Sequence, residues 1–294
     1  MGILSSISIG INPNLIDAGG ITLSWHGLLT FVAVGVAVWL VARWGAKDGM
    51  IVDSIYSVAV WAIIGGVIGA RILHVVDFWD EIYRDDFISV FTVWSGGIAI
   101  YGAILGGFVG GALYIMIRNS EWFLALWRTV FPFTGEAHRA NLPSIGRLAD
   151  ITAPAVLIGQ AIGRVGDLIN GEHFSKISEL PWAVVYTHHN SPSAQFFKPP
   201  AHPAVGYELI FDLILLAAIW PLRDRLRPHG MFFALYLGTY SIGRFFLSFL
   251  REEANEYFGG NLNEAQVVAI IVVIFTVPLL VWKAQLVRPT TRRA

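Results

Sequence analysis

The chain has 294 residues, of which 55% are hydrophobic, 13% aromatic and 14% charged, with a mean hydropathy of +0.61. A water-solvated domain carries about 25% charged residues, so the shortfall excludes an ordinary soluble surface and makes the bilayer the expected solvent. The net charge of −1 offers no basic field to nucleic acid, and the absence of cysteine excludes a disulfide, a thiolate metal site or a covalent thiol intermediate on the chain.

No Lys or Arg precedes Arg43, so the leader lacks the basic n-region of a secretory signal peptide. The first apolar helix is therefore expected to be retained and to direct insertion. Apolar stretches of about 20 residues, the length that crosses a hydrocarbon core, lie at 24–42, 53–76, 96–117, 148–169, 204–222, 231–250 and 265–282. They predict an all-α polytopic membrane protein of seven transmembrane helices, one membrane domain spanning 1–294. Within the segment 118–147, the short apolar run 122–130 carries Trp122, Trp127 and Arg128, which suits an amphipathic helix lying at the interface rather than a span. The connection 170–203 contains an alternating run at 182–186 and the turn-prone His189-Asn190-Ser191-Pro192, predicting a small strand-containing cap.

Orientation follows from the basic residues, which cytoplasmic loops retain. One set of loops holds Arg43 and Lys47, then Arg118, Arg128, Arg139 and Arg147, then Arg223, Arg225 and Arg227, then Lys283, Arg288, Arg292 and Arg293. The other holds only Arg84, Lys176, Lys198 and Arg251, beside Asp80, Glu81, Asp85, Asp86, Glu252, Glu253 and Glu256. The two sets alternate without violation. This predicts an amino terminus outside, a carboxyl terminus in the cytoplasm and an extracytoplasmic cap, in an inner membrane.

Three arginines fall inside or at the edge of spans: Arg71, Arg164 and Arg244. An arginine near the middle of a span costs about 2.5–3.5 kcal/mol, so it pairs with another group or faces a polar cavity. Internal pairing with Asp77, Asp167, Glu172 or Glu208 is one reading; convergence on an anionic ligand is the sharper one. Spacing groups Arg164 with Asp167, and Tyr240 with Arg244 and Ser248, on common helix faces. A guanidinium's planar fork suits phosphate, and phospholipid is the abundant anion at that depth. Glycines crowd the second and third spans, where Gly102, Gly106 and Gly110 read as a close helix contact. Gly96 and Gly97, beside Ser95 at the outer entrance, could present backbone N–H groups to an anion. No histidine stands in an H-E-x-x-H spacing, so no metal is expected; a G-x-S-x-G elbow and a Walker loop are also absent.

The run Gly163-Arg164-Val165-Gly166-Asp167-Leu168-Ile169-Asn170-Gly171-Glu172 resembles the G-R-x-G-N-x-x-N-x-E signature of bacterial phosphatidylglycerol–prolipoprotein diacylglyceryl transferases. Further blocks agree in order and spacing: Ser24-Trp25-His26-Gly27-Leu28, Gly69-Ala70-Arg71, Ser95-Gly96-Gly97 with Tyr101-Gly102, Pro181-Trp182-Ala183, His202-Pro203 with Tyr207-Glu208, then Tyr240, Arg244 and Arg251-Glu252. The resemblance covers nearly the whole chain. It implies transfer of an sn-1,2-diacylglyceryl group from phosphatidylglycerol to the lipobox cysteine thiol of a prolipoprotein, releasing glycerol 1-phosphate without a cofactor. The substrate supplies the sulfur, so a cysteine-free enzyme fits.

By the same resemblance, Arg164 and Arg244 are the essential arginines, with a phosphate-clamping role. Glu172 would orient an arginine or accept from glycerol, and Asn170 would bind substrate beside it. Arg71, His202, Gly96, Gly97 and Tyr240 complete the expected substrate contacts. The chain departs from the family's frequent pattern at four positions: His26 for Tyr, Tyr101 for His, Asp167 for Asn and Ser248 for Glu. A phenol with a pKa of about 10 is a poor base, so Tyr101 is expected to hydrogen-bond the substrate while His26 or solvent takes the thiol proton. Asp167 would temper the charge of Arg164. The competing readings are an organic-anion transporter, for which no internal repeat is visible, and an inactive relative that binds phospholipid or prolipoprotein. The expected partners are phosphatidylglycerol, the prolipoprotein signal peptide and membrane lipids. One bundle supplies every candidate group, so a monomer is expected.

Overall fold

The computed structural model describes residues 6–18, 21–92, 99–134, 142–197, 199–252, 256–257 and 262–287. Ser95, Gly96, Gly97, His138, Arg139, Lys198, Glu253, Arg288, Arg292 and Arg293 lie outside the described residues. In chain order the main elements are β1 (Ile7–Ile9), β2 (Asn14–Ala18), β3 (Ile21–Ser24), α1 (Trp25–Lys47), α2 (Val52–Asp77), α3 (Ile100–Arg118), α4 (Glu121–Val130) and α5 (Ile145–Asn170). They continue with β4 (Val184–Tyr186), α6 (Pro192–Phe196), α7 (Ala204–Ile219), β5 (Leu226–Arg227), α8 (Met231–Leu247), β6 (Glu256–Tyr257), β7 (Leu262–Asn263), α9 (Glu264–Lys283) and β8 (Gln285–Leu286).

Seven of these helices, all but the short α4 and α6, are long and apolar enough to cross a membrane. Large apolar side chains along them, among them Phe31, Leu105, Ile214, Phe275 and Val281, are exposed. Such faces associate in water, whereas lipid solvates them, and the chain is a multi-pass membrane protein. The first span runs past the predicted end at 42 to Lys47, because hydrogen-bonded helix continues after hydropathy has fallen. The chain divides into two compact units, Met1–Leu40 with Ala149–Ala294, and Val41–Leu148.

In the unit Val41–Leu148, α2 and α3 pack through glycines. A Cβ on Gly106 would stand 2.8 Å from the Gly69 Cα, and one on Gly110 would stand 2.6 Å from the Trp61 carbonyl oxygen. The backbones therefore touch as the small-residue pattern predicts, and the Ala99 amide donates across the pair to the Ala70 carbonyl at 3.1 Å. The Ser120 hydroxyl caps α4 by accepting from the Phe123 amide at 3.3 Å. This helix buries Leu124 and leaves Trp122 exposed.

In the other unit, the core joins Ala153 and Leu157 of α5 to Leu215 and Ile219 of α7 and to Phe232 and Tyr236 of α8. The buried Asp150 of α5 caps α8, its carboxylate accepting from the Gly230 amide at 2.8 Å and the Phe233 amide at 2.9 Å. Gly230 itself takes φ 100°, a left-handed turn that favours glycine. At α9, Asn263 and Gln266 form a capping box. The Asn263 and Gln266 side-chain amides also donate to the carbonyls of Ser248 and Phe245, both at 3.4 Å. They tie the start of α9 to the end of α8.

The predicted cap is built on β4, which pairs in parallel with β1 in the register Ile7↔Val184, Ser8↔Val185, Ile9↔Tyr186. Its role is visible at the carboxyl end of α5, where helix carbonyls lack helical partners. The Tyr186 hydroxyl donates to the Leu168 carbonyl at 2.8 Å and the Ser191 hydroxyl to the Asn170 carbonyl at 3.2 Å. The Ser193 amide donates to the Gly171 carbonyl at 3.0 Å. Gly171 has φ 67°, and any side chain there would collide with the Tyr186 ring. The cap thus fixes where α5 ends, and with it the residues that follow.

Candidate active site

The carboxyl end of α5 supplies Arg164, Asp167 and Asn170 at helical spacing, and the turn after it supplies Glu172 and His173. The start of α1 reaches them because Gly166 has no side chain: a Cβ there would stand 3.0 Å from the His26 Cα and 3.3 Å from the Trp25 carbonyl oxygen. As a result, His26 Nδ1 lies 2.6 Å from Asp167 Oδ1 and 3.6 Å from Glu172 Oε1. Arg164 Nη1 donates to Asp167 Oδ2 at 2.9 Å. The Asn170 amide donates to Glu172 Oε2 at 2.7 Å.

Across from this group, α7 presents Glu208, whose side chain is only 4% exposed. Three guanidiniums converge on it. Arg164 Nη2 stands 2.9 Å from Oε2 as an ion pair off hydrogen-bond alignment. Arg244 of α8 donates from Nη1 to Oε1, and Arg251 Nη1 donates to the same oxygen at 3.0 Å. Arg251 Nη2 also lies 2.8 Å from His173 Nδ1. Because arginine only donates, that nitrogen accepts, and the neutral His173 carries its proton on Nε2. Nε2 stands 3.6 Å from Asp167 Oδ2 and 3.8 Å from Glu172 Oε1. Of the two readings offered by the sequence, the structure shows internal pairing for Arg164 and Arg244, which meet on Glu208 together with Arg251.

The remaining expected residues are placed as follows. Tyr240 packs beside Tyr236 and Phe211, one turn before Arg244, with ring centroids 5.9 and 6.3 Å away. His202 lines a small pocket under the cap with His173, Ser175, Tyr186 and Ser193, and its buried Nδ1 has no hydrogen-bond partner. Burial, with the Asp167 charge adding, pushes the Tyr186 phenol up to about 12, so it stays a donor. Arg71 and Tyr101 belong to the other unit. Arg71, 6% exposed, donates from Nε to the Val90 carbonyl at 2.9 Å and from Nη2 to the carbonyls of Ser89 and Thr92, and it lies over the Tyr83 ring. Tyr101 is half-buried in the first turn of α3. Gly96 and Gly97 lie outside the described residues.

Sequence reasoning put Arg251 among the exported loop residues; its side chain is 9% exposed because Glu208 draws it inward. It also passed over His173 and Asp212. Asp212 is buried one turn after Glu208, with both carboxylate oxygens lacking a hydrogen-bond partner, near the charges of Arg164 and Arg244. A signal for this face was present: Glu208 and Asp212 are the only charged residues in α7, four apart in an apolar span. Ser248, at a departure position, is fully buried and its hydroxyl has no hydrogen-bond partner.

Among the described residues, His26 Nδ1 and carboxylate oxygens of Asp167 and Glu172 lie within 4.8 Å of one another, a spacing a cation could use. Arg164 and His26 already take the Asp167 oxygens. The guanidinium's fixed charge beside them opposes a second cation.

Fold and site together define a multi-pass membrane protein with guanidiniums and carboxylates gathered where α5, α7, α8 and the start of α1 meet. The family model of prolipoprotein diacylglyceryl transferase matches residues 13–140 and 137–282, and the chain belongs to that family. Among curated relatives, the phosphatidylglycerol–prolipoprotein diacylglyceryl transferase of Synechococcus elongatus is 32% identical over 92% of this chain and 86% of its own length. The one of Dehalococcoides mccartyi is 31% identical over 97% and 98%, and that of Thermosynechococcus vestitus 30% over 88% and 87%.

Proposed function

We propose that this transferase moves the sn-1,2-diacylglyceryl group of phosphatidylglycerol to the lipobox cysteine thiol of a prolipoprotein signal peptide, releasing glycerol 1-phosphate. The observation that carries this reading is the meeting of Arg164 and Arg244 on Glu208, in a chain whose relatives are named for those two substrates. Sulfur attacks the glyceryl carbon, the carbon–oxygen bond breaks, and negative charge grows on the departing phosphate. A guanidinium has five N–H donors, so Arg164 and Arg244 hold Glu208 and a phosphate oxygen together. Their side chains are 18% and 16% exposed, and charge stabilisation is stronger in such a site than in open water.

Asn170 and Glu172 receive the glycerol headgroup, with Tyr240 and His202 lining the approach, and Tyr101 hydrogen-bonds the substrate. We assign Arg71 to holding the 87–92 segment, because its Nε and Nη2 donate to backbone carbonyls there. The chain works as a monomer in a bacterial cytoplasmic membrane, amino terminus outside, with residues 170–203 as an extracytoplasmic cap.

The test is transfer of labelled diacylglycerol from phosphatidylglycerol to a synthetic lipobox peptide. Wild-type protein is expected to form the thioether, and a Cys→Ser peptide to receive nothing. Arg164→Ala and Arg244→Ala should each lower kcat/KM by at least ~10²-fold, the scale of losing one transition-state donor. Folded wild-type protein that binds phosphatidylglycerol without transfer would make this an inactive relative.

A further inference from the structure

We propose that His26 is the general base that takes the thiol proton, with Asp167 as the positioning residue that sets its tautomer. This rests on the transferase reading above and deepens it. The Asp167 carboxylate is held by Arg164 at 2.9 Å, and His26 Nδ1 lies 2.6 Å from its other oxygen. An ionised carboxylate only accepts, so Nδ1 carries the imidazole proton and Nε2 of neutral His26 is left with its lone pair. Asp167 is 8% exposed and anchored in α5, whereas the His26 side chain is 39% exposed. A fixed carboxylate behind an accessible imidazole is the arrangement by which an Asp–His pair orients a base and stabilises the imidazolium that forms.

The other candidates are less suitable. Arg251 donates to His173 Nδ1, so the His173 proton sits on Nε2, facing Asp167 and Glu172, and no lone pair remains for a thiol. The His202 Nδ1 is buried. Tyr101 offers a phenol, and phenols, which ordinarily ionise only near pH ~10, are poor bases near neutral pH. The charged and titratable groups facing His26 are Asp167, Glu172 and Arg164, with His173 behind the two carboxylates. Two of the four departures from the family pattern, His26 and Asp167, are thus hydrogen-bonded to each other.

His26 Nε2 takes the thiol proton, and the sulfur's electron pair forms the bond to the glyceryl carbon. The carbon–oxygen bond breaks with its electrons on the phosphate oxygen, and the imidazolium returns its proton to that phosphate group as glycerol 1-phosphate leaves.

The experiment measures kcat and KM against pH for purified wild type, His26→Gln, His26→Ala and Asp167→Asn with phosphatidylglycerol and the lipobox peptide. His26→Gln is expected to lower kcat by ~10²-fold or more near neutral pH, to bind phosphatidylglycerol as wild type does, and to lose the acid limb of the profile. Its rate should recover toward wild type above pH ~8.5, where the peptide thiol ionises unaided. Asp167→Asn should move the acid limb to lower pH, because the charge that stabilises the imidazolium is gone. Added imidazole should restore transfer by His26→Ala. A His26→Gln enzyme with wild-type kcat and acid limb, or one equally impaired at every pH without imidazole rescue of His26→Ala, would overturn the assignment while leaving the transferase reading intact. No transfer by the wild type would overturn both.

Discussion

At Glu208 the consequences of losing one side chain exceed the loss of one bond, because Arg164, Arg244 and Arg251 all close on its two oxygens. Removing one member of a buried ion cluster leaves the others uncompensated, at a cost of about 3–5 kcal/mol. Glu208→Gln should therefore lower the melting temperature in detergent and reduce transfer as strongly as Arg164→Ala, the guanidiniums no longer being gathered. Wild-type melting with wild-type transfer would mean that the arginines hold their places without it. The sequence made Arg164 and Arg244 legible because each is expensive in its span. Glu208 was named only as a possible partner, and Asp150 and Asp212 were not singled out. What makes these carboxylates matter is contact across helices, which spacing along one helix does not encode.

Among the elements, α1 and α5 show how a missing side chain sets the geometry of the proposed His26–Asp167 pair. Gly159 faces the Ala33 carbonyl, where an added Cβ would sit 3.2 Å away, and Gly166 faces His26 and Trp25 one heptad later. Gly166→Val would drive the start of α1 from α5 and stretch the 2.6 Å His26–Asp167 contact. The expected result is a fall in kcat of ~10²-fold, in line with a small misplacement of reacting groups, with Arg164 and Arg244 still able to bind lipid. Phosphatidylglycerol affinity measured beside turnover checks this; loss of both would mean that the helix pair had come apart. The helices themselves were legible to within a few residues at most ends, since a bilayer demands about 20 apolar residues per span. The pairing was legible only for α2 and α3, where glycines repeat densely. Gly159 and Gly166 are two of four glycines spread along α5 and were not singled out, and the cap's grip on the end of that helix depends on Tyr186, Ser191 and Ser193, which are remote in sequence from the carbonyls they serve.

For the whole molecule, an odd number of spans forces the two termini to opposite sides of the membrane, and the side is set by Lys and Arg in short loops. Basic residues such as Lys47 and Arg225 alternate with acidic stretches such as Asp80 to Asp86 along the chain, so each helix has only one orientation that satisfies both its flanks. The chain has no cysteine, so single cysteines can report the side of each loop against a silent background. Lys47, Asp85, Lys176 and Asp224 are exposed residues lying at the end of α1, after α2, in the cap and after α7. A membrane-impermeant maleimide should label Asp85→Cys and Lys176→Cys in intact cells, and Lys47→Cys and Asp224→Cys only after permeabilisation. An inverted pattern would put the cap and the His26–Asp167 pair on the cytoplasmic side, away from an exported signal peptide. Labelling of Lys47→Cys and Asp85→Cys from the same side would remove α2 as a span and with it the odd count. The expected pattern leaves the carboxyl end of α5 facing outward, the side on which the proposed function requires Arg164 and Arg244 to meet a lipid headgroup and an exported peptide.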